Sequence, residues 1–129
     1  MNTFVLLVSR ESGWSPDVWA TGRGDRIKSG QIMVESESGW LSIIRDDDVL
    51  ADFSEAELAQ IGELASEPKT YLVEWKGAVL IQEFLRSIPC NTRAAIDNDH
   101  GLLISVHKIA REPPDLWVTA SSFPLSRKP

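Results

Sequence analysis

Across Gly77 the spacing of apolar residues changes from every second position to every third or fourth, and that switch constrains the fold more than any other feature of the chain. Before it, residues 69–75 read as a strand with Tyr71, Val73 and Trp75 on one face. After it, Leu80, Ile81, Phe84, Leu85 and Ile88 fall at i, i+1, i+4, i+5 and i+8, the apolar stripe of a helix over 77–88 whose Gln82, Glu83, Arg86 and Ser87 face water. Pro89 stops that helix, and another strand candidate opens at Thr92. Strand, helix and strand make up a β-α-β crossover, which is right-handed where its strands run parallel.

A second helix is predicted over 54–66. Ser54 and Glu57 form a capping box, Leu58, Ile61 and Ala65 continue at helical spacing, and Pro68 forbids extension. The opening residues 1–9 carry the run Phe4-Val5-Leu6-Leu7-Val8, as in a strand buried on both faces. Residues 31–35 and 40–44 read as a hairpin joined by Ser36, Glu37, Ser38 and Gly39, and residues 92–97 and 102–108 as another joined by Asn98, Asp99, His100 and Gly101. Between Arg10 and Gly30 the glycines and Pro16 predict a long loop. A short strand or docking segment is expected over 116–119. The reading is therefore an α+β fold: one domain over 1–120 with a mixed or mainly antiparallel sheet and two principal helices, then a frayed tail over 121–129.

Composition excludes several classes. The chain has 129 residues, and its apolar runs are far shorter than the ~20 residues of a membrane span. Asn2, Thr3 and Phe4 do not form the basic start of a secretory signal, so a cytoplasmic location is expected. One cysteine, Cys90, allows no internal disulfide and no zinc finger. The five tryptophans suit either a core or a partner-facing surface.

Charge is uneven. Residues 46–67 hold eight acidic side chains and no Lys or Arg, a segment charge of −8 against +2 for the remainder of a chain whose net charge is −6. Such a field repels nucleic acid and speeds encounter with a basic partner; the same pattern also occurs on solvated helix faces. Asp46, Asp47, Asp48, Asp52 and Glu55 precede or begin the helix and are the expected partner-binding carboxylates, with Trp40 as an apolar anchor.

Chemistry-bearing constellations are sparse. Three consecutive aspartates cannot all face one ion on a strand, and no EF-hand spacing follows them, so neither a metal nor a cofactor is expected. The 97–107 hairpin, with Asp97, Asp99, His100 and His107, is the place where a small enzyme would keep an acid–base pair, although those residue types also serve turns. Cys90 could pair with a histidine but reads better as a buried, inert small hydrophobe. Arg23-Gly24-Asp25 matches an adhesion tripeptide, a match short enough to arise by chance.

From Tyr71 to Gly101 the strings YLVEW, FLRSIP and AAIDNDHG resemble the small acidic immunity proteins of bacterial polymorphic-toxin and contact-dependent inhibition systems, over about a quarter of the chain. The resemblance implies a non-enzymatic cytoplasmic protein that binds and neutralises a cognate toxin domain, often a nuclease with a basic cleft. An adaptor subunit of another cytoplasmic complex would share the same surface features.

Overall fold

The computed structural model describes residues 2–23, the backbone of 27–28, and 30–121. Most of the expected tail and the last two residues of the Arg23-Gly24-Asp25 tripeptide lie outside the described residues. The fold is α+β. In chain order it runs β1 (Asn2–Ser9), α1 (Pro16–Arg23), β2 (Ile27–Lys28), β3 (Gln31–Ser36), β4 (Gly39–Arg45), α2 (Glu55–Leu64), β5 (Pro68–Lys76), α3 (Ala78–Ser87), β6 (Ala94–Asp97) and β7 (Leu103–Ser105). Short 3₁₀ turns occupy Arg10–Ser12, Asp47–Asp52, Val106–Lys108 and Pro114–Leu116.

Among the described residues the strands form one seven-stranded sheet in the order β2-β3-β4-β5-β1-β6-β7, with every neighbouring pair antiparallel. Both expected hairpins are present. β5 and β6 each pair with β1, so they point the same way with β1 between them, and β5-α3-β6 is a split crossover. The opening strand takes that central place because both its faces are apolar: Phe4, Leu6 and Val8 enter one core, Leu7 the other.

The first face of the sheet is sealed. The predicted stripe of α3 is buried along its whole length, and Phe84 stacks near Trp14 (ring centroids 6.2 Å apart) and edge-on to Trp19 (5.0 Å). Farther along, Trp117 meets Phe4 edge-on at 5.7 Å and Trp75 at 6.2 Å. Aromatic pairs of this geometry add to area burial. Gly77 sits at φ 90°, and a Cβ there would collide with the Ser38 carbonyl oxygen, so the corner between β5 and α3 requires glycine.

Two expectations are corrected and a third is resolved between its alternatives. The stretch expected to be a loop between Arg10 and Gly30 contains α1 and β2, so the described residues hold three α-helices rather than two. Pro16 supplies a pre-set first helical φ, and burial of Trp19 and Ala20 against α3 outweighs the weak propensity of a helix containing Gly22. Of the two alternatives for residues 116–119, the segment docks and forms no strand: Pro114–Leu116 is a 3₁₀ turn that delivers Trp117, fully buried, to the first core. Cys90 is exposed, because the chain turns outward after Pro89 instead of continuing the buried face of α3.

Candidate interaction face

The second face of the sheet is covered only in part. α2 carries the predicted capping box, with the Glu57 amide donating to Ser54 Oγ at 3.2 Å and the Ser54 amide donating to Glu57 Oε1 at 2.8 Å. Its Ile61 packs on Leu7 and Ala95, with Leu50 and Phe53 from the acidic 3₁₀ turn and Leu103 from β7 closing the cluster. Arg93 donates to the Glu63 carbonyl near the helix C-terminus, where a cation complements the dipole. This small core lies over β1, β6 and β7. The register sets Ser42 opposite Met33 and Glu74, Ile44 opposite Gln31 and Leu72, and Trp40 opposite Glu35 and Lys76, all on the second face. Met33, Trp40, Ile44 and Leu72 belong to neither core cluster, and Met33 is 46% exposed.

The carboxylates divide by what they touch. Asp46 caps the turn, accepting from the Asp48 amide at 3.1 Å, and its backbone is tied to β5 by its amide donating to the Thr70 carbonyl at 3.0 Å. Asp47 accepts from Arg45 Nε at 2.7 Å and from Thr70 Oγ1 at 3.3 Å; the Arg45 hydrogen bond holds its carboxyl below the ordinary range. Asp48, Asp52 and Glu55 are exposed and have no side-chain partner among the described residues. These three are the members of the predicted set with no such contact among the described residues. Trp40 is half-buried at the far end of β4, about 20 Å along the strand from the acidic turn, on the same face of the sheet. The other four tryptophans are core residues.

Sequence reasoning missed a contribution from β6 and the following turn. Asp97 points to the second face opposite Val5, and with Asp99, Glu57, Gln60 and Phe53 it lines a cavity of about 250 Å³ between α2 and the β6-β7 turn. Burial raises the Asp97 carboxyl above its ordinary range, and the Asp99 and Glu57 carboxylates push the same way, partly offset by the Asp99 amide donating to it. The acidic field therefore extends beyond residues 46–67. The signal was available in the alternation of Ala95 and Asp97 on β6, once β6 is placed beside β1.

The hairpin does not assemble an acid–base pair from Asp97 and His107. Asp97 faces α2, whereas His107 Nε2 donates to the Thr92 carbonyl at 2.7 Å and lines a different cleft, of about 450 Å³, with Cys90, Arg86 and Arg111. His100 is exposed in the turn, its amide donating to Asn98 Oδ1. Among the described residues no group of three or more His, Cys, Asp or Glu side chains is placed to hold a metal ion, and no helix is long and apolar enough to cross a membrane. No protein-family model, curated protein or solved structure matches this chain.

Proposed function

We propose that this chain is a non-enzymatic binding protein that captures a basic protein through its second sheet face, and that it serves as an immunity protein against a cognate bacterial toxin domain. A nuclease is the fitting toxin class, because a nucleic-acid cleft is itself basic. The observation that carries the reading is the gathering of Asp48, Asp52, Glu55, Glu57, Asp97 and Asp99 on one side of the sheet, beside apolar side chains that the fold leaves uncovered. Apolar anchors bordered by charge are how tight protein interfaces are built, and the charge accelerates encounter.

The test is the association rate with a candidate cognate toxin domain, followed across a salt series. The native chain is expected to associate more slowly as salt screens the face. Asp48→Asn with Asp52→Asn should lower the low-salt rate several-fold and flatten the salt slope, with thermal stability unchanged because neither carboxylate has a side-chain partner among the described residues. A double variant with native rate and native salt slope removes the acidic face from the interface.

A further inference from the structure

We infer that the uncovered half of the second sheet face is a seat for one cationic amphipathic helix of the partner, lying beside α2 and completing the layer that α2 leaves unfinished. This rests on the proposed capture of a basic protein and specifies the element the partner supplies.

The dimensions select a helix. The open area spans β3, β4 and β5, three strands at about 4.8 Å spacing and therefore about 14 Å across, and its strands run about 20 Å. A helix with its side chains is about 10–12 Å wide, and about 13 residues of it cover 20 Å. A partner strand would pair in the plane of the sheet, at the edge of β3 beyond Ile32, and would leave this face open, whereas β4 and β5 are paired on both sides. The chemistry selects the helix's character. Met33, Trp40, Ile44 and Leu72 form a strip for an apolar face. Glu35 and Glu74 stand in the same rows and the acidic turn closes one end; Lys76, opposite Trp40, is a cation among them. A helix with Lys or Arg flanking a Leu-rich stripe meets both requirements. A second copy of this chain would bring the same carboxylates together at a net charge of −6 per chain.

The probe is a tryptophan-free cationic amphipathic peptide of about 14 residues, alongside a scrambled peptide of equal charge with no apolar stripe. Trp40 is the one tryptophan that is not buried, so its emission reports occupancy, and Trp40→Phe serves as the control. The patterned peptide is expected to shift the emission, gain helical ellipticity, and bind at least about tenfold more tightly than the scrambled one. Met33→Gln with Ile44→Thr, which keeps strand-compatible side chains, should erase that preference. Equal binding of the two peptides, or a preference that survives the double variant, overturns the helix seat while leaving electrostatic capture to the salt-series experiment. Absence of binding by both peptides overturns the seat as well. Loss of the salt slope with retained discrimination between peptides would instead remove the acidic face and keep the seat.

Discussion

The two faces of this sheet are built from the same strands and finished differently. On the first, α1, α3 and the segment around Trp117 bury Phe4, Leu6 and Val8 of β1 and Tyr71, Val73 and Trp75 of β5, and four of the five tryptophans lie on that side. On the second, α2 covers the β1-β6-β7 half and nothing in the described chain covers β3 and β4. Stability resides chiefly on the sealed face, which leaves the half-covered face free to carry Met33, Trp40 and unpaired carboxylates. Of that strip Met33 is exposed and Trp40, Ile44 and Leu72 are half-buried, apolar surface that the proposed partner would cover.

The largest effect that tests this contrast comes from truncating both faces. Phe84→Ala removes the ring that joins α3 to Trp14 and Trp19 and should cost about 3–5 kcal/mol, measured by denaturant unfolding. Met33→Ala on the open half should stay within about 0.5 kcal/mol, as for other surface positions. Comparable losses at the two positions would show that the second face is closed in solution and would break the comparison.

A smaller loss is expected where the sealed face is tied shut. Asn98 is buried at the end of β6. Its Nδ2 donates to the Trp117 carbonyl at 2.7 Å and the Ala120 carbonyl at 2.8 Å, and its Oδ1 accepts from the His100 and Leu102 amides. Asn98→Ala strands those groups at a cost of about 2–3 kcal/mol. It should also raise amide exchange in residues 114–120 ahead of the rest, since Trp117 would lose its tether; uniform exchange across the chain would mean that packing alone holds the segment.

Periodicity made much of this architecture legible. The stripe of α3, the alternation in β5 and the Ser54-Glu57 box are local patterns, and each reappears in place. α1 was illegible for a physical reason: Gly22 and a short amphipathic span give it little local support, and its stability comes from Trp19 against Phe84, 65 residues away. The same limit applied to the interaction face. The acidic run and Trp40 could be read from sequence, but their common side of the sheet depends on strand register. That Asp46 and Asp47 also hold the turn depends on Asp48, Arg45 and Thr70. Cys90 misled because Pro89, read only as a helix stop, also redirects the chain outward.

The smallest effect concerns the covered half of the second face, and its sign is informative. Asp97 lies partly buried beside Asp99 and Glu57, so the folded state raises its pKa and holds its proton more tightly than the unfolded chain does. A raised carboxyl contributes stability that is fully present below the ordinary Asp value of 3.8 and lost as pH rises through the folded-state value. At neutral pH the ionised group therefore costs stability. Asp97→Asn should make the protein slightly more stable at about pH 7, because asparagine keeps an acceptor for the Asp99 amide, now 3.0 Å from the carboxylate, while removing the charge. The advantage should shrink toward zero by about pH 3, where the native carboxyl is protonated. Paired thermal melts at the two pH values read the difference directly, and comparison with the native chain cancels the other titrating groups. A variant less stable than the native chain at neutral pH would mean that Asp97 is held by a cation in solution, and the acidic field would then stop at α2. The expected gain would instead identify Asp97 as a carboxylate kept at the expense of stability, as a residue used for binding would be.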